Sequence, residues 1–422
     1  MITAQAENDV GMEEALSGSF VDKNNPSKEW IRSLRKRYPI EHELDRVLTR
    51  KLEQRGGPGF SQVSLEALLA GVGALLRARL GEEPFQLSDA RWMSGGSSKL
   101  QMAFTLDWDR PGLGREKTKM VLRMEPAESI IETSRLREYQ LIKAFEGIVP
   151  VPPLFWIDAN AEFFPYPALI YGFASGINRP TQTRPNSSRN NTSGVGIWVP
   201  PELRKKLGAE FVSCLAKIHT RDYRSADFSA FNVPEVGTDQ CAEWGLNLWD
   251  RVWEEDSDED IPLMRLVSGW LRRNMPVLDK PSILHCDYRI GNFLFDEGEG
   301  KITAWLDWEL GCIGDRHQDV AWSTSMVFGG LDDEGETFLV GGMMSESQFI
   351  ENYEKSSGFR INPKTLHWYK IFNNYSLAIM TIGTCYRIAS NGKTHQDVLV
   401  ASLIGAGYAT LNQLAKQIEE VL

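Results

Sequence analysis

Cysteine is scarce in this 422-residue sequence: there are five, at positions 214, 241, 286, 312 and 385, and no Cys-x-x-Cys pair. That scatter excludes a disulfide framework or a zinc ribbon and reads as reduced thiols in a cytoplasmic protein. The six histidines form no His-Glu-x-x-His or comparable ligand spacing, so they announce no metal site. No stretch reaches the roughly 18 consecutive apolar residues that a membrane span needs, and the first residues carry no basic leader pattern. The expectation is a soluble cytoplasmic chain with no membrane partner. Positive charge is in deficit as well. The 46 Lys and Arg stand against 57 Asp and Glu, a net charge of −11, which argues against a nucleic-acid partner held through its phosphates. What is present is 42% hydrophobic residues, enough for two lobes sharing a cleft at this length.

One stretch organises the rest. Ser282 to Asp296 has an apolar entry (Ile283, Leu284), a polar loop and an apolar run from Phe293 to Phe295; a second run, Ile302 to Leu306, follows after Asp296-Glu-Gly-Glu-Gly300. Residues that tolerate positive φ make that connection a turn, so the runs should pair as a β-hairpin. With Phe295 facing Ile302, the register puts Asn292 opposite Trp305 and Asp307 two residues further along the same face. A carboxamide and a carboxylate then sit together at the hairpin mouth, with Asp287 on the loop leading in. Two hard oxygen ligands beside a third, free carboxylate suit Mg²⁺ held against a phosphate, with a base to receive a hydroxyl proton.

His285-Cys286-Asp287 with Asn292 and Asp307 resembles the catalytic loop and metal aspartate of the protein-kinase-like fold. The fuller wording, through Leu306-Asp-Trp-Glu309 and Gly314-Asp-Arg-His-Gln-Asp319, is similar to the aminoglycoside phosphotransferase/choline kinase family. Within it the likeness is to the branch that includes hydroxyacyl-CoA kinase-like domains linked to acyl-CoA dehydrogenases. That family usually has Gly where Cys286 stands, a small difference in side-chain size.

Along the chain, residues 1–27 read as a polar tail, and Glu29 to about Leu80 as helices broken at Arg55-Gly-Gly-Pro-Gly59. They form a helical extension whose default role is packing. Gly95-Gly96-Ser97-Ser98 precedes a strand-like run; taken alone it is more often a hairpin turn, but it can also bring backbone N–H groups to a phosphate. Lys119 to Met124 reads as a strand and Ser134 to Phe145 as a helix. Residues 177–200 are dense in turn formers and read as a mobile loop that limited proteolysis would cut first. The acid run Glu254 to Asp260 reads as a solvated loop, with a cation-attracting rim as the minority reading. Glu309 is expected to face water or, less readily, to reach the metal.

The resemblance covers roughly residues 85–390. It implies an α+β, bilobal protein-kinase-like fold: a small antiparallel-sheet N-lobe (85–172) and a larger helical C-lobe (173–422), preceded by the tail and helical extension (1–84). It implies ATP and Mg²⁺ in the cleft and transfer of the γ-phosphoryl group to a small-molecule hydroxyl. In that scheme Asp287 is catalytic, Asn292 and Asp307 hold the metal, and His285 and Asp319 support the loop. The 95–98 turn and Arg123 meet the phosphates, Arg123 standing where protein kinases have lysine; Glu138 is its partner, with Lys119 a fallback. Tyr171 and Phe173 fall at the hinge that meets the adenine. His219 reads as structural. The acceptor is open between a hydroxyacyl-CoA-like alcohol and an aminoglycoside or amino alcohol. The aromatic, acid-free stretch 361–390 (Trp368, Tyr369, Phe372, Tyr375) favours the former. A nucleotide-binding module that no longer transfers phosphate is the rival from another class.

Overall fold

The computed structural model describes residues 21–58, 63–93, 99–126, 128–182, 196–391 and 397–422. Three helices come first: α1 (Lys28–Arg37), α2 (His42–Gln54) and α3 (Leu65–Leu80). Ser27 and Ser64 cap α1 and α3 by accepting N–H bonds from Trp30 and Ala67, satisfying donors that the first turn leaves free. The strands β1 (Phe85–Trp92), β2 (Leu100–Arg110), β3 (Gly114–Met124), β4 (Leu154–Asp158) and β5 (Ala168–Gly172) form an antiparallel sheet in the order β1-β2-β3-β5-β4. Helix α4 (Arg135–Phe145) lies between β3 and β4 in sequence.

Alternation divides the sheet into two faces. On one, Met102, Phe104, Met120 and Leu122 pack against Leu68, Val72, Leu75 and Leu76 of α3, so that helix shares the sheet's core. The other face carries a smaller cluster, Val121, Leu169 and Tyr171, and Arg123. The sequence period of two thus places Arg123 on the side opposite α3.

After β5 the chain crosses to a mainly helical lobe, and Ile177 pairs with Phe295 as an isolated antiparallel bridge. That lobe contains α5 (Pro201–Thr220), α6 (Gln240–Asp256), α7 (Pro262–Arg273), β6 (Ser282–Leu284), β7 (Phe293–Asp296), β8 (Lys301–Trp305), β9 (Cys312–Gly314) and α8 (His317–Ser323). Then follow α9 (Glu346–Ser357), α10 (Pro363–Ala378), a π-helical turn Ile379–Thr384, α11 (Cys385–Asn391) and α12 (Asp397–Glu419). Among the described residues no helix is long and apolar enough to cross a membrane.

The expected hairpin is β7–β8, and Phe295 does face Ile302, but the register then slips: Leu294 faces Ala304 and Phe293 faces Trp305. Asn292 therefore does not lie opposite Trp305; its carbonyl accepts the N–H of Leu306. Thr303 is the extra residue of a β-bulge. The cause is the crossing strand, since Phe295 exchanges both backbone bonds with Ile177 and the Thr303 hydroxyl donates to the Ser175 carbonyl at 2.6 Å. Beneath the hairpin Tyr288 stacks on Trp305 (4.0 Å between centroids, 19° between planes), and Phe211 packs on both.

The extension is bound to both lobes by ion pairs. Glu41 pairs with Arg137 at 2.8 Å and Arg50 with Glu125 at 2.8 Å. In the helical lobe, Asp256 meets Arg55 (2.6 Å), Arg387 (2.9 Å) and Lys51 (3.1 Å), and Glu254 meets Arg37 at 2.6 Å. Half of the acid run is thus not a solvated loop. Glu255 and Asp256 are fully buried, because α6 continues through Asp256 and turns them onto the basic residues of α2 and α11.

Candidate active site

The polar loop between β6 and β7 is fixed from below. Asp319 of α8 accepts the N–H of His285 at 2.8 Å on Oδ2 and that of Cys286 at 2.7 Å on Oδ1. His219, at the end of α5, brings Nε2 to 3.1 Å from the same carboxylate and Nδ1 to 2.7 Å from the Tyr353 hydroxyl. His285 is fully buried. Its Nδ1 accepts the Asp287 N–H at 3.3 Å, so the proton sits on Nε2, which donates to the Leu306 carbonyl at 2.9 Å. One imidazole thereby spans the loop and the end of β8.

Cys286 occupies the left-handed region, with φ 61°. That explains the small-residue preference better than side-chain size does, because a Cβ there meets the following carbonyl. Its Sγ lies 3.4 Å from Cys312 Sγ, and the Cys312 contact together with burial pushes the thiol well above its ordinary value. Cys286→Gly should be tolerated, changing stability by no more than about 1 kcal/mol, whereas Cys286→Val should cost at least about 2 kcal/mol through its β-branch. Thermal melts check this; equal melting temperatures for the two variants would contradict it.

Three donors converge on the Asp287 carboxylate. The Trp322 indole N–H reaches Oδ1 at 2.7 Å, Arg289 Nε reaches Oδ1 at 2.9 Å, and Asn292 Nδ2 reaches Oδ2 at 2.5 Å. Asn292 Nδ2 also donates to the Asp287 carbonyl at 3.0 Å. With its nitrogen so committed, the carboxamide oxygen is the atom left to face a hard cation. Asp307 follows in the left-handed conformation (φ 58°, ψ 47°), which turns its side chain out of the hairpin.

Across the cleft, Arg123 of β3 meets Asp307 Oδ1 at 2.5 Å, Glu309 at 3.3 Å and Glu138 of α4 at 3.5 Å. Burial opposes its charge, but Glu138, Asp307 and Glu309 outweigh burial and hold the guanidinium well above its ordinary value. Glu138 is also paired with Arg135, one helical turn earlier. Tyr171 lies on the same sheet face, and burial pushes its phenol up to about 12 against the opposing pull of Arg123. Lys119 is exposed, so Arg123 is the strand's buried cation. Phe173 donates its N–H to the Lys119 carbonyl at 2.9 Å where the chain leaves the sheet, and its side chain is exposed. Gly95, Gly96, Ser97 and Ser98 lie outside the described residues, as does most of the 177–200 loop.

Glu309 corrects the sequence reading. It neither faces water nor lies open to a cation, being buried against Arg123, Arg135 (2.9 Å) and Lys99 (3.2 Å). Lys99 itself is buried and donates to Ser129 at 2.7 Å. Direct contacts join Arg123 to Glu138 and Asp307, Asp287 to Asn292, and Asp319 to the His285 backbone, and the structure adds further partners. Trp322 had a signal in its spacing, since it lies one helical turn after Asp319 and so shares its face. Arg289, two residues after Asp287, had none beyond proximity. Among the described residues no three His, Cys, Asp or Glu side chains gather as a self-sufficient metal cage. A Mg²⁺ ion suits such a site, because it takes one or two protein ligands and completes its shell with water and phosphate.

Of the aromatics in the 361–390 stretch, Trp368, Tyr369 and Tyr375 are buried core residues. Trp368 stacks on Phe372 at 5.2 Å, and Tyr375 donates to Asp250 at 2.6 Å. Phe372 also lines a cavity.

Comparison with known proteins agrees with this geometry. Residues 107–343, more than half of the chain, match the model of the phosphotransferase enzyme family. Acyl-CoA dehydrogenase family member 11 of Pongo abelii is 24% identical over 317 residues, 70% of this chain and 37% of that protein. The chain spans little more than a third of that relative's length. A solved Ralstonia eutropha protein classed as an aminoglycoside phosphotransferase superposes with a TM-score of 0.60 at 22% identity, covering 85% of this chain and 99% of the other. Plasmodium vivax ethanolamine kinase gives 0.50 at 14% identity, with 89% and 98% covered. At these identities the structural likeness is one of fold: bilobal, α+β and kinase-like.

Proposed function

Since the chain belongs to the phosphotransferase enzyme family and is a small-molecule phosphotransferase, we propose that it moves the γ-phosphoryl group of ATP, bound with Mg²⁺, onto an alcohol. The observation that carries this is the donor pattern at the loop, which holds the Asp287 carboxylate in one orientation and commits the nitrogen of Asn292. Asp287 then accepts the proton of the acceptor hydroxyl at whichever carboxylate oxygen that hydroxyl approaches. Asn292 Oδ1 and the Asp307 carboxylate are the protein ligands for the metal. When bound, Mg²⁺ supplies charge neutralisation between the phosphates.

Arg123 is the phosphate cation of β3, kept in place by Glu138 while its contact with Asp307 yields to nucleotide. Arg123→Ala should weaken ATP more than adenosine, by about tenfold or more for one charge-assisted contact. Equal loss for both ligands would mean that the sheet, and not a phosphate contact, was damaged. Tyr171 and Phe173 border the crossing between lobes, where the base of the nucleotide would lie, and the 95–98 turn would close over its phosphates. Asp307→Ala should abolish the Mg²⁺ dependence of ATP binding. Titration calorimetry with and without the metal tests this, and an unchanged metal dependence would place the ligands elsewhere.

For the acceptor we favour a hydroxyacyl thioester or a similar amphipathic alcohol over an aminoglycoside. A polycationic sugar needs several free carboxylates to offset its desolvation. The acid run that might have supplied them spends Glu254, Glu255 and Asp256 on Arg37, Arg251, Lys51, Arg55 and Arg387.

A further inference from the structure

The first helices, expected from the sequence only to pack, wall an apolar space that runs up to the catalytic loop. Two adjoining cavities share Leu44 of α2 and Leu248 and Trp249 of α6. The first continues past Leu48 toward Ile131 and Glu309. The second reaches Met380, Cys286 and Trp322. Trp322 is the link to chemistry: one edge of its ring borders this space and its indole N–H is bonded to Asp287. Around it Trp249, Ile131 and Met380 form one apolar cluster.

The cations on these walls are already paired. Arg137 is held by Glu41 at 2.8 Å and by the Gly311 carbonyl at 3.2 Å, and lies 4.1 Å over the Phe231 ring. Lys51 is bonded to Asp256. A ligand entering here meets mainly hydrocarbon; apart from the paired charges it meets Glu132, which accepts the Ser129 N–H, and Gln318, too few polar groups to replace the water of a polyhydroxylated ligand.

We propose that α2 and α6 form a subsite for an unbranched hydrocarbon chain, with Leu44 and Leu248 as its specificity-determining residues and the chain's hydroxyl end directed to Asp287. The identity of that end group rests on the phosphotransfer reading; the chain subsite does not. The extension thereby belongs to the acceptor site, and its ion pairs to Glu125, Arg137 and Asp256 hold one wall in place.

The test is calorimetric binding of straight-chain primary alcohols, butanol to decanol, to the full chain, with phosphotransfer to the same series measured in parallel. Wild type should bind about fourfold more tightly per added methylene, the equivalent of about 0.8 kcal/mol. Leu44→Trp, which fills the space from α2, should weaken decanol at least about tenfold and leave butanol unchanged. Leu248→Phe, from the opposite wall, should do the same and guards against misfolding of the first variant. No dependence on chain length in wild type, or an undiminished dependence in both folded variants, overturns the subsite. Chain-length-dependent binding without phosphate transfer to any member would sink the phosphotransfer reading and leave the subsite standing.

Discussion

Replacing Asp287 by Asn is expected to lower turnover by about two to four orders of magnitude, the usual loss for a positioned acid–base group. The substitution preserves shape, so Trp322 can still donate to the side-chain oxygen. It removes the carboxylate that receives the hydroxyl proton and leaves Arg289 without its counter-charge. The new amide nitrogen faces Asn292 Nδ2, now 2.5 Å from the carboxylate, so two donors meet and Asn292 must turn. For that reason affinity for Mg·ATP is expected to fall slightly, by no more than about tenfold, while kcat collapses. Steady-state kinetics beside nucleotide titration separate the two effects. A variant keeping more than about a third of the wild-type rate would remove Asp287 from the chemistry.

The largest stability effect is expected at Asp256. This carboxylate is fully buried and accepts from Arg55, Arg387, Lys51 and the Thr384 hydroxyl. Asp256→Ala leaves the three cations without that partner and should cost about 3–5 kcal/mol. Burial alone would raise its pKa, but Arg387, Lys51 and Arg55 outweigh burial and hold it well below the usual carboxylate range. A depressed folded value means stability that is fully present above the unfolded pKa of about 3.9 and lost as pH falls toward the folded one. Wild type should therefore lose melting temperature on acidification below about pH 4, and the variant should start lower and fall less steeply. Parallel slopes for the two proteins between neutral and acidic pH would contradict the assignment.

The parts of the site that were legible in advance are those built from neighbours in sequence. Asp287, Asn292 and Asp307 fall on one loop and one hairpin, whose existence the turn and the two apolar runs announce, although the period of two does not give the register beyond Phe295 and Ile302. Arg123 and Glu138 required the resemblance to pair them, since a strand arginine and a helix glutamate carry no local sign of each other. What escaped depends on a third chain segment. The bulge at Thr303 arises because Ile177 pairs with Phe295 from the far side, and no pattern within the hairpin reveals that. Glu309 looks like a surface residue in the sequence because its partners Lys99, Arg123 and Arg135 all lie on other elements. The acids at 254–256 look like a solvated run until other segments bring Arg37, Lys51, Arg55 and Arg387 to them. The left-handed backbone at Cys286 was hidden because a small side chain is a weak sign of positive φ in any residue but glycine.

The most direct test of phosphoryl transfer is ³¹P NMR of Mg·ATP incubated with the full chain and a panel of hydroxylated acceptors that includes 4-hydroxyacyl thioesters, straight-chain alcohols and kanamycin-type sugars. The geometry predicts loss of the γ-phosphate signal matched by ADP and a new phosphate monoester on an amphipathic alcohol, absent with Asp287→Asn. ATP that binds yet stays intact with every acceptor would contradict it and mark the cleft as a nucleotide-binding site without transfer.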